Sequence, residues 1–198
     1  IYVLQIFVAI FIGSMLIYKE VERKTFFLIL PKPIRTSEII IGKCLGLTFT
    51  TIVVTLLSVA ALFAILAFKG EHSFYLPILV SVFLSTLESV LIILISILFS
   101  GLTSPILSAI YTVAIFLAGH SSDALRAIFI RSEYPFAQLV AKVGYYIFPN
   151  LEKFNIRNDI IYGLLPGPLL FILTILYALC YIILVFLLAQ LMFKKKDF

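Results

Sequence analysis

The sequence predicts an all-α integral membrane protein folded as a single transmembrane domain, and three observations predict it. First, 63% of its 198 residues are apolar and only 13% are charged, with a mean hydropathy of +1.18. That is more apolar surface than a soluble core of this size can bury. Second, the apolar residues come in runs long enough to cross a bilayer. Third, Lys and Arg collect at the ends of those runs. The net charge of +5 is then explained by anionic headgroups and by the orientation rule for inserted helices. The partner this implies is the lipid bilayer, and no nucleic acid is implied.

Five spans are expected, at about 1–18, 44–68, 76–100, 105–119 and 164–193. The first run is broken only by Gln5 and Ser14 and ends at Lys19. The chain opens at Ile1 in mid-run, so a segment is expected upstream; if that segment holds one span, the full protein has six. The last run ends in Lys194, Lys195 and Lys196, which places that end in the cytoplasm. Counting back through the crossings places the 19–43 connection in the cytoplasm as well. Its own basic excess agrees: Lys19, Arg23, Lys24, Lys32, Arg35 and Lys43 against Glu20, Glu22 and Glu38.

Within that connection, charged residues precede Phe26-Phe27-Leu28-Ile29-Leu30, a composition suited to a short helix lying in the membrane interface. Pro31 and Pro33 stop it. Thr36 or Ser37 is placed to cap the next helix, with Glu38 near its positive end. That helix should continue through Gly42 and Lys43 into the second span, as a rigid rod from the membrane surface into the bilayer.

The residues Glu20, Glu22, Thr25, Pro33, Ile34, Gly42 and Lys43 carry a pattern that resembles the ABC-type-2 permeases, the membrane halves of ATP-driven transporters. In that family E-x-E-x-x-T, an apolar run, P-[IV]-S-R and a closing G-K lie between two membrane helices. Here Lys24 replaces the family's Gly before the Thr, and Arg35 stands one place early. Phe148 to Gly163 also looks like the segment before the last span in these permeases. The resemblance implies that Glu20, Glu22, Thr25, Pro33, Arg35, Gly42 and Lys43 form a coupling element seated on a separate cytoplasmic ATPase. ATP and Mg would bind that ATPase, with no cofactor in this chain. It further implies a second permease copy or a related permease as partner, an export function, and a place in the cell membrane, such as the bacterial inner membrane.

Glu88 is the one carboxylate deep in an apolar run. An ionisable group at bilayer depth costs a few kcal/mol, so it should face the bundle and have a partner, with Ser85, Thr86 and Ser89 at hand. It is read either as a substrate-path or proton-carrying residue or as a structural hydrogen-bonding group. The first of these supports an alternative function, an ion-coupled carrier or membrane-embedded enzyme centred on Glu88.

Between spans, 69–74 and 101–104 read as short turns, with Ser104 as a cap and Pro105 at the first helical position. From 120 to 163 hydropathy falls and charges of both signs appear, so this region is expected outside the membrane on the far side from the cytoplasm. Leu125, Ile128 and Phe129, then Leu139, Val143, Tyr146 and Ile147, mark two short amphipathic helices there. The remaining chemistry is sparse. Cys44 and Cys180 have no metal or redox spacing and read as packing residues. His120-Ser121-Ser122-Asp123 lacks the separation a triad needs and reads as a surface turn. No G-x-x-x-x-G-K-[ST] loop is present, so this chain carries no ATPase site of the usual kind and is not expected to be an enzyme.

Overall fold

The computed structural model describes residues 1–15, 36–161 and 165–195, and every regular element among them is helical. Helix α1, Tyr2–Met15, is apolar and contains one wide π turn over Val8–Ile12. Helix α2 is Thr36–Lys69, 34 residues without a break. Gly42 and Lys43 lie inside it, so the expected continuity from residue 36 into the apolar run is present. A turn follows in which Gly70 takes a φ of 75°, a conformation that glycine adopts without strain. Helix α3, Tyr75–Ser100, then runs back to a second turn ending at Ser104.

Helix α4, Pro105–His120, has Pro105 in its first turn and Ser104 at the cap position, but the Ser104 hydroxyl makes no capping bond. Helices α5, Ser122–Arg131, and α6, Pro135–Ile147, are the two short amphipathic helices expected from the i, i+3, i+4 spacing. A 3₁₀ turn over Leu151–Phe154 and the short α7, Arg157–Ile161, lead to α8, Pro168–Lys195.

Three segments are long and apolar enough to cross a membrane: Ile40–Lys69, His72–Ser100 and Pro168–Phe193. The pair α4 and the first part of α5, bent by 62°, makes a fourth if counted as one broken span. Along the outer faces of α2 and α8, Phe49, Leu56, Leu57, Leu169, Leu170 and Leu191 are exposed. Long helices with apolar exteriors give the chain the character of a multi-pass membrane protein.

Helix α3 is central. Half of its most apolar window is buried, against 17% in α2 and 11% in α8. From Leu91 to Ile97 every residue is buried, because α1, α2, α4 and α8 pack around it. Helix α8 meets it through Ala178, Val185 and Ala189, a stripe of small side chains that permits close approach.

Part of the 120–163 region packs into the bundle: Leu151 and Phe154 belong to the main core and are at most 2% exposed. The backbone before them passes so close to α4 that a Cβ on Gly119 would collide with the Pro149 carbonyl and Leu151. Alternating Leu151, Phe154 and Ile156 with polar residues lets this segment bury one side while carrying Glu152 and Arg157 into the fold.

Candidate functional site

Glu88 lies 13 residues into α3, about 20 Å along the axis from Tyr75. Its side chain is completely buried. Residues from four other parts of the chain converge around it. From α1, the Tyr2 hydroxyl donates to Glu88 Oε1 at 2.7 Å. From the last residue of α4, His120 Nε2 meets the same oxygen at 2.8 Å. The other ring nitrogen, Nδ1, lies 3.0 Å from Glu152 Oε2 on the 3₁₀ turn. Glu152 Oε1 in turn accepts from Asn155 Nδ2, and Asn155 Oδ1 accepts from Arg157 Nε, both at 2.8 Å. Finally the Arg157 guanidinium stacks on Tyr2, its central carbon 3.4 Å from the ring centroid. The chain of contacts therefore closes on itself.

The arrangement follows from burial. A charged residue at bilayer depth costs about 3 kcal/mol on insertion scales. Hydrogen bonds to a charged group return about 1.5–3 kcal/mol each, so two donors on Glu88 offset that cost. His120 has a carboxylate oxygen at each nitrogen, and a proton on both nitrogens completes both contacts. Phe116 and Tyr2 bracket its ring edge-on, at 4.7 and 6.2 Å between centroids. Glu88 Oε2 is also buried and accepts no bond from any described group. It is an open acceptor beside a ring that joins two carboxylates, so the cluster has the parts needed to take up or pass a proton.

Metal binding needs donors that converge on one point, and no such group occurs among the described residues. The imidazole instead lies between the two carboxylates and separates them.

A second polar layer lies one turn further along α1. Gln5 is buried, and its amide donates to Thr55 Oγ1 on α2 at 2.8 Å and to Thr86 Oγ1 on α3 at 3.2 Å.

The structure corrects two readings. His120 is no surface turn: it ends α4 and is held at both nitrogens. Ser85, Thr86 and Ser89 do not support Glu88. Their hydroxyls donate to backbone carbonyls of their own helix, at Val82, Val82 and Ser85. Tyr2, Glu152 and Arg157 were not foreseen. The available signal was the pair Tyr2 and Gln5, three apart and thus on one face of an otherwise apolar helix.

Of the coupling residues, Glu20, Glu22, Thr25, Pro33 and Arg35 lie outside the described residues. Gly42 and Lys43 are in the second turn of α2, about 18 Å along that helix from Thr55. Gly42 is exposed, with open space where a Cβ would be. Gly42 and Lys43, the two described residues of that set, therefore lie apart from the Glu88 cluster. No family model, curated protein or solved structure matches this chain.

Proposed function

We propose that this chain is the membrane-spanning subunit of an ATP-driven exporter of the ABC-type-2 kind. In this reading it crosses the membrane five times, with α1 and the bent pair α4–α5 as two of the crossings. The 19–43 connection is the element by which a separate cytoplasmic ATPase moves it. The observation that carries the reading is the sequence of that connection, with Glu20, Glu22 and Thr25 before the prolines and Gly42-Lys43 after them. The form of α2 supports it: one helix of 34 residues, about 50 Å long, leads from the end of the connection through the membrane-length apolar segment. A rod of that length delivers a displacement at Thr36 to the face of α3 without a hinge to absorb it.

The experiment is a contact test. A photoreactive side chain placed at Thr25 should cross-link to the ATPase purified with this chain, and the same group placed at Phe68, at the other end of α2, should not. Cross-linking from neither position, or from Phe68 alone, would contradict the reading.

The Glu88 cluster favours a second reading, an ion-coupled carrier in which Glu88 and His120 exchange a proton with Glu152. Its carrying observation is the buried Oε2, without a partner among the described residues, beside a doubly held imidazole. In that case Glu88→Gln would abolish transport while leaving the cross-link at Thr25 unchanged.

A further inference from the structure

A cavity of about 600 Å³ lies between α2, α3, the start of α1 and α7, and neither proposed function uses it. Its lining is mostly apolar, with the one charged side chain at one end. Along α2 and α3, Leu62, Ile65, Ile78 and Val82 form a mainly apolar trough, interrupted by the hydroxyls of Ser58 and Ser81. At the Tyr2 end, Ser85 and Arg157 make it polar. Ile65 is 55% exposed, so the trough opens on the flank that faces the bilayer in the membrane reading.

Arg157 is the feature that needs a ligand. It is half-buried, and among the described residues no carboxylate lies within ion-pairing distance of it. Its guanidinium is fixed rather than free: the plane rests on Tyr2, and Nε–H donates to Asn155 Oδ1. Besides the Nε–H, the guanidinium also hydrogen-bonds the Tyr2 side chain, and its five donors, in a planar fork that suits phosphate, exceed what these two partners accept. A cation held at the head of an apolar trough is complementary to an anion attached to a hydrocarbon chain. The volume is in the range of small-ligand sites, enough for a headgroup phosphate and one chain while a second chain stays in the bilayer.

We infer that this cavity binds an anionic phospholipid of the surrounding membrane, with its phosphate on Arg157 and one acyl chain between α2 and α3. The site is independent of the transporter reading, since it needs only the membrane and these four elements.

The chain has no tryptophan, so one introduced indole gives a clean reporter. The full protein carrying Ile65→Trp would be reconstituted in vesicles containing phosphatidylglycerol or phosphatidylcholine with brominated chains, and quenching compared. Phosphatidylglycerol should quench at about fivefold lower mole fraction, the scale of one partly exposed charge pair. Arg157→Gln should remove that preference, and Arg157→Lys, which keeps the charge, should retain most of it. A reporter at Leu188→Trp, on α8 near the Gly101 turn, should show no preference. Equal quenching by the two lipids at Ile65→Trp would overturn the inference, as would a preference that survives Arg157→Gln or appears equally at Leu188→Trp. Quenching by brominated free fatty acid but not by phosphatidylglycerol would also overturn it.

Discussion

The two halves of α3 are held by different chemistry. Around Glu88 the neighbours are joined by ionisable side chains: Tyr2 and His120 on one carboxylate, Glu152 on the far side of the imidazole. Around Ser96 to Gly101 they are joined by small neutral groups. Ser96 Oγ donates to the Ile10 carbonyl at 3.1 Å and Ser100 Oγ to the Ser14 carbonyl at 2.8 Å. Ser108 Oγ, from α4, donates to the Ser96 carbonyl at 3.1 Å. Gly101 lies against the Phe193 ring so closely that a Cβ would overlap it. The contrast teaches where change is tolerated. The neutral seam depends on size and should lose little when a hydroxyl is removed. The ionisable half depends on having every partner present, because a carboxylate left alone in the bundle has nothing else to bind.

The largest effect should come from breaking the ionisable half on one side only. His120→Leu leaves Glu88 without one of its two donors and should cost about 3–5 kcal/mol, read as a drop in thermal stability of the detergent-solubilised protein. Adding Glu88→Leu to it should recover much of that loss, since the stranded carboxylate is gone. If His120→Leu cost no more than a seam serine, the contrast would fail.

Next comes overpacking of the seam. Gly101→Leu drives a side chain into Phe193 and should cost about 1–3 kcal/mol, with partial recovery when Phe193→Ala makes room. Glu88→Gln keeps an acceptor for Tyr2 and removes the charge, so about 1 kcal/mol is expected in the same assay. The smallest effect is Ser100→Ala, at about 0.6 kcal/mol, the average for a hydrogen bond between membrane helices.

The helices were legible because apolar runs and their polar breaks are local signals. The limits of α3 and α4 fall within a residue of those read from the runs, and the helical spacing at Leu125 and Leu139 located α5 and α6. That Glu88 must be satisfied was legible too, since the cost of burying it is a property of the residue. Its partners were not. His120 is 32 residues away and Tyr2 is 86 away, and only the packed fold brings them together. Nearby hydroxyls looked like better partners, but those of Ser85, Thr86 and Ser89 are donated to carbonyls of their own helix. The inward engagement of the 149–157 segment was not legible either: Glu152 and Arg157 face the cluster while Leu151 and Phe154 anchor the turn, and these contacts exist only in the packed fold.

The sharpest test of the proposed coupling compares Glu20 and Glu22 with Glu88 in one assay. In the complex with the separate ATPase that the proposed reading requires, Glu20→Lys combined with Glu22→Lys should abolish substrate-stimulated ATP hydrolysis while the chain remains inserted, and Glu88→Gln should leave that stimulation within about twofold of normal. Full stimulation in the Glu20/Glu22 double variant, together with its loss in Glu88→Gln, would contradict a cytoplasmic coupling element and assign the driving step to the buried carboxylate.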